Sequence, residues 1–146
     1  MPEESVVDAL NIIHRALRPG GVLLDIHPRA VPSPFEVRLD DGTVTSLGKS
    51  EYNDGFTATI AAAERALVQQ QTEGRFTDEQ HTEFTVLHHF TTPQRWQTYR
   101  AEEAKFYVPA TDEVIAAVHE AMAPSGAVLI MGEAVRATRY RAISQA

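Results

Sequence analysis

The sequence predicts a single α/β domain built around a mixed parallel and antiparallel sheet. Three observations carry this reading. A helical segment drops through Pro19-Gly20-Gly21 directly into an apolar strand, an Asp-Gly signal sits between two short β-type runs, and two long β patterns near 77–91 and 127–143 have helical segments between them. With 146 residues, 43% of them hydrophobic, the chain can bury one core and shows no sign of a second domain.

The first helix is predicted over Ser5 to Arg18. Val6, Val7, Leu10, Ile13 and Leu17 recur at spacings of three and four, which puts them on one stripe. Ser5 is a good N-cap, acidic Glu3, Glu4 and Asp8 lie near the start, and His14, Arg15 and Arg18 lie near the end, as the helix dipole favours. The next run, Val22-Leu23-Leu24-Asp25-Ile26, is apolar on both faces and reads as a strand buried inside a parallel sheet. Pro28, Pro32 and Pro34 then mark an extended loop. A hairpin follows, with Phe35 to Leu39 and Val44 to Leu47 flanking Asp40-Asp41-Gly42-Thr43.

A second helix is expected from Asp54 or Gly55 to Glu73, turning Ile60, Ala63, Leu67 and Gln70 inward and stopping at Gly74. From Thr77 to Thr91 the pattern alternates, with Phe84, Val86, His88 and Phe90 on one face of a long strand. Thr92-Pro93 opens a third helix carrying Trp96 and Tyr99. Pro109 to Glu113 announces a fourth that runs to about Ala123, with Val114, Ile115, Val118 and Met122 inward. Ala127 to Ile143 completes the chain as one long strand or a pair bent at Gly132.

Composition narrows the function classes. No cysteine is present, so disulfides, thiolate zinc sites and a cysteine nucleophile are excluded. A net charge of −7 argues against a nucleic-acid partner, whose affinity comes from neutralised phosphates. The basic cluster Arg136, Arg139 and Arg141 reads first as the solvated face of an edge strand. No apolar run approaches the ~20 residues that a bilayer span needs. The acidic start Met1-Pro2-Glu3-Glu4 differs from a secretory leader, and the expected address is cytoplasmic.

Asp25 and His27 are two apart near the end of a strand, so they share a face at the end where α/β folds place ligands. They are the candidate acid/base pair, although a hydrogen-bonded strand terminus leading into the proline loop gives the same pattern. His88 and His89 are adjacent on a strand and face opposite ways, while His81 and Glu83 share a face but lack a third ligand, so no metal site is expected. Trp96 and Tyr99 lie at helical spacing and would line any pocket beneath their helix, with core packing as the plainer reading. No Gly-x-Ser-x-Gly elbow and no P-loop occurs.

The segment Ala16-Leu17-Arg18-Pro19-Gly20-Gly21-Val22-Leu23-Leu24 resembles the helix, Pro-Gly-Gly turn and fifth strand of class I S-adenosylmethionine-dependent methyltransferases. The later order of helix, long strand, helices and terminal strand is similar to the sixth and seventh strands that close such sheets. The ending Val135 to Arg141 also looks like the tails of some bacterial members. The resemblance covers essentially the whole chain and implies a partial Rossmann-like sheet, its fifth to seventh strands, with an inserted hairpin.

The same resemblance exposes a departure. The family binds its cofactor with a Gly-rich turn after the first strand and an acidic residue ending the second. None of the eight glycines here forms a G-x-G-x-G or G-x-G-x-x-G turn after a strand. No cofactor-binding residue is therefore assigned, and S-adenosylmethionine is expected only if a partner supplies the missing half. In the parent fold the fifth strand is paired on both sides. Here one neighbour is missing, so either the Phe35 to Leu47 hairpin fills the gap or a second chain does. The expectation is a methyltransferase-like domain without autonomous catalysis, as a homodimer or with a complementary methyltransferase subunit. The rival is a small α+β ligand-binding domain or enzyme with a pocket lined by His27. A cofactor half encoded upstream of Met1 would produce the same pattern.

Overall fold

The computed structural model describes residues 3–143, and the Met1-Pro2 start lies outside them. The order is α1 (Glu3–Ala16), β1 (Val22–Pro28), β2 (Ser33–Arg38), β3 (Val44–Ser50), α2 (Asp54–Thr72), β4 (Phe76–Phe90), α3 (Pro93–Glu102), α4 (Asp112–Ala121) and β5 (Val128–Ala142). The first helix begins at Glu3, ahead of the Ser5 expected to cap it, so Ser5 lies inside α1. The chain leaves α1 through a turn in which Gly20 takes φ +75° and the Gly21 N–H donates to the Arg18 carbonyl at 2.7 Å. At Gly21 a Cβ would stand 2.8 Å from that carbonyl oxygen, so no larger residue fits. The Gly20 N–H also donates to Ala142 O at 3.0 Å, and the Ala142 N–H donates to Gly21 O at 2.9 Å, which pins the turn to the end of β5.

The β2–β3 hairpin forms as expected, with Gly42 at φ +86° and the Asp41 carboxylate accepting from the Thr43 N–H at 2.8 Å. α2 stops at Gly74, φ +70°. Thr92 caps α3 by accepting from the Arg95 N–H, with Pro93 opening the helix, and Thr111 caps α4 by accepting from the Val114 N–H. β5 is one continuous strand and does not break at Gly132.

The sheet has five strands, in the order β1-β5-β2-β3 with β4 also paired to β5. β1 pairs antiparallel with β5 from Val22↔Arg141 to Pro28↔Val135, and β2 pairs antiparallel with β5 from Phe35↔Met131 to Arg38↔Val128. Three expectations are corrected here. β1 does not lie buried in a parallel sheet: it pairs with β5 alone among the described residues, and Val22, Leu24 and Ile26 are 42%, 58% and 57% exposed. An apolar run reports that a strand has hydrophobic side chains, not how many neighbours cover them. The hairpin, in turn, does not pair with β1, because β2 takes residues 128–131 of β5. Nor is β5, which carries the arginine cluster, an edge strand, since it pairs with β1, β2 and β4.

The residues divide into two compact units, the first made of residues up to Arg29, Thr57–Phe84 and residues from Val135, the second of Ala30–Phe56 and Thr85–Ala134. In the first, Leu10, Ala66, Leu67, Phe76, Tyr140 and Ala142 form the core, and Val6, Val7, Ile13, Leu17 and Leu23 pack against it. The stripe expected on the first helix is thus the face that is covered. In the second, Phe35, Val37, Phe90, Trp96, Val118, Met122, Leu129 and Met131 are among the buried residues that pack together. The inward face of α2 carries Ile60, Ala62, Ala66, Leu67 and Gln70, with Ala63 only half-buried. No helix among the described residues is long and apolar enough to cross a membrane.

Candidate functional site: the His27 cleft

Alternation along β1 puts Leu23, Asp25 and His27 on the face that packs toward the first unit's core. Opposite them on β5 stand Tyr140, Thr138 and Arg136 in register. α2 supplies Glu64, Leu67, Val68 and Gln71, and β4 supplies Asp78 and His81. Together with His27, Arg136, Thr138 and Tyr140 these side chains enclose a cleft of ≈ 380 Å³, within the size range of small-molecule sites.

The Asp25 and His27 pair is brought together as the spacing implied: His27 Nδ1 lies 2.8 Å from Asp25 Oδ2. On the other side of the ring, His27 Nε2 is 3.6 Å from Glu64 Oε1, close enough for an ion pair but too long for a hydrogen bond. Nε2 is a buried nitrogen without a hydrogen-bond partner, and the His27 side chain is 13% exposed. The hydrogen bond that His27 Nδ1–H donates to Asp25 raises the His27 pKa above its ordinary value. Burial opposes that rise, while the charges of Asp25 and Glu64 add to it. Tyr140 is held up by burial first and by the Asp25 charge second.

Arg136 is fully engaged. Its Nη2 lies 2.9 Å from Glu83 Oε1 and its Nη1 lies 3.7 Å from Glu64 Oε1. Arg29 Nη1 holds the other Glu83 oxygen at 2.8 Å. The Arg136 hydrogen bond, ahead of the charges of Arg29 and Arg136, keeps the Glu83 carboxyl below the usual range. Arg139 and Arg141 both pair with Glu79, and the Arg141 guanidinium also donates to Gly20 O at 2.9 Å. The basic cluster is therefore a set of ion pairs with β4 and α2 carboxylates.

Spacing alone revealed Asp25 and His27, but Glu64 and Arg136 reach the cleft from α2 and β5, and no local pattern ties them to His27. The one available signal was that Arg136 alternates with Thr138 and Tyr140 on a strand. The other candidates go elsewhere. Trp96 is 2% exposed, stands 6.2 Å from the Phe35 ring and lines a largely apolar cleft of ≈ 370 Å³ in the second unit. Tyr99 does not line that cleft: its ring packs 5.3 Å from both Phe90 and His88. A residue three positions on along a helix turns about 60° away, enough here to exchange the cleft for the aromatic cluster. His88 Nε2 lies 3.2 Å from Glu133 Oε2, which leaves His89 on the opposite face. His81 and Glu83 are exposed, and Glu83 is taken up by arginines. Among the described residues no three His, Asp or Glu side chains gather as metal ligands.

Comparison with family models, curated proteins and solved structures returned no match.

Proposed function

We propose that the chain is a methyltransferase-like scaffold without an S-adenosylmethionine site of its own, which joins a second chain along the free edge of β1. That chain is either another copy or a subunit carrying the cofactor half. The observation that carries the reading is the edge itself. Among the described residues β1 uses only one side for pairing, and its outer face presents exposed Val22, Leu24 and Ile26, with Asp25 turned to the other face and Pro28 only at its end.

Two further features support the ancestry. α1 passes into β1 through the short Leu17 to Gly21 turn, the segment that carries the resemblance, and β5 pairs with both β1 and β4, the strands likened to the fifth and sixth of a methyltransferase sheet. Because β1, β2 and β3 make only antiparallel pairs, the parallel part of a Rossmann-like sheet would have to come from the second chain, across β1.

Light scattering during gel filtration tests the assembly. The chain alone is expected to run as a dimer at micromolar concentration, and a Leu24→Lys, Ile26→Lys double variant with an unchanged circular dichroism spectrum is expected to run as a monomer. Calorimetric titration of the single chain with S-adenosylmethionine is expected to give no saturable heat. Saturable binding by a stable monomer overturns the proposal, whereas a monomer that does not bind leaves only the complementary-subunit form standing.

A further inference from the structure

We propose that the occupant of the free β1 edge is a second copy of this chain, added antiparallel about a twofold axis through Leu24. The proposal stands on the assembly reading above. Of the two partners that reading admits, the hydrogen-bonding geometry of the edge selects the copy and fixes its register.

The bonds to β5 decide which backbone groups of β1 are left over. The Ala142 N–H donates to Gly21 O at 2.9 Å and the register continues as Val22↔Arg141, so Gly21 and Ala142 are a bonded pair of the ladder. Bonded and non-bonded pairs alternate between antiparallel strands. Leu23, Asp25 and His27 therefore direct their N–H and C=O groups to β5, while those of Val22, Leu24 and Ile26 point to the open side. Pro28, the next residue of this set, has no N–H. The residues with unused backbone groups are also the ones whose apolar side chains stand exposed on the outer face.

This set is symmetric about Leu24, as a twofold interface requires. An antiparallel copy centred there sets Leu24 against Leu24 and Val22 against Ile26, and each pair can exchange both of its N–H···O=C bonds. The facing side chains then pack across the strands, Leu on Leu and Val on Ile. Arg139 and Arg141, which neighbour this apolar row on β5, are already paired with Glu79 and set no bare positive charge against the copy. At the ends Pro28 meets Gly20, whose N–H already donates to Ala142 O at 3.0 Å, so no donor is stranded. Moving the axis by one residue loses bonds in either direction. Centred on Asp25, the carboxylate faces its own copy and Val22 faces Pro28, which cannot donate. Centred on Leu23, Ile26 faces Gly20, whose N–H is taken. An edge that is its own complement is satisfied by any other molecule of the same chain.

The chain has no cysteine, so a single introduced thiol reports on a single position. Val22→Cys, Leu24→Cys and Ile26→Cys variants of the full chain, each checked by circular dichroism, are oxidised with copper phenanthroline. Facing residues have Cα atoms about 5.5 Å apart, within disulfide range, whereas Val22 or Ile26 would lie about 14 Å from its own copy. Leu24→Cys is expected to form a disulfide-linked dimer at least about tenfold faster than either of the other two. The unaltered protein supplies a second measurement. Hydrogen exchange at the Val22, Leu24 and Ile26 amides is expected to slow as concentration rises through the range in which light scattering detects the dimer. Equal oxidation rates for Leu24→Cys and Ile26→Cys, exchange at these amides that ignores concentration, or a chain that stays monomeric each overturns the proposal. A monomer that binds no S-adenosylmethionine still leaves the complementary-subunit form of the assembly standing, whereas one that binds it saturably removes the assembly reading as well.

Discussion

The cleft beside His27 and the cleft beside Trp96 have nearly the same volume, ≈ 380 and ≈ 370 Å³, but opposite linings. The first is walled by His27, Glu64, Asp78 and Arg136, and it contains a nitrogen whose hydrogen-bonding capacity is unused. The second is walled by Trp96, Tyr107, Ile115 and alanines, with Trp96 itself packed among Phe35 and the second unit's core. Apolar walls lower the free energy of the fold in proportion to the area they hide, and they ask nothing of a ligand. Charged walls contribute little by burial and persist because they hold one another in place. Space of equal size therefore means different things in the two units: packing surface in one, and positioned acid and base groups in the other.

That contrast is tested most severely at Trp96. Replacing it with alanine removes the largest side chain of the second core and should cost about 3–5 kcal/mol, read from urea unfolding followed by far-ultraviolet circular dichroism, since the chain has no other tryptophan to report. A loss under 1 kcal/mol would mean that the Trp96 cleft is not packing surface at all. In the first unit the corresponding sensitivity lies in the backbone. Gly21→Ala forces a Cβ against the Arg18 carbonyl and the Leu17 side chain, with an expected loss of about 1–3 kcal/mol in the same assay.

The smallest effect sharpens the comparison through pH. The folded state raises the His27 pKa, so the stabilisation from its pairing with Asp25 is fully present below the unfolded value of 6.5 and is lost as pH rises through the folded value. Asp25→Asn should therefore destabilise by about 1 kcal/mol near pH 5.5, a partly solvent-screened charged hydrogen bond, and by less at pH 9. Unfolding curves of both proteins at the two pH values measure this. A larger loss at the higher pH would show that Asp25 acts through something other than His27.

Local chemistry was readable in the sequence and long-range pairing was not. Thr92 with Pro93, Thr111, Gly42 and the Pro19-Gly20-Gly21 turn each fix a boundary through contacts within a few residues, and each boundary lies where its signal stands. The neighbour of β1 is set by β5, more than a hundred residues later, and an apolar run carries no record of that distance. Hence Val22 to Ile26 read as buried in a parallel sheet and stand instead half-exposed and antiparallel. The site divides along the same line. Asp25 and His27 share a face because a strand repeats every two residues, whereas Glu64 meets them only because α2 lies over that face.

β5 mates with β1, β2 and β4, so the order of synthesis leaves its mark on the nascent polypeptide. While the ribosome is still translating the codons before Val128, β1 and β4 have emerged without the strand that joins them. Val22, Leu24, Ile26, Phe84 and Leu87, which remain exposed even after folding, are then bare on both sides. Pairing across so long a separation in sequence is slow, and apolar strands that wait for their partner are the segments of this fold most prone to associate with one another.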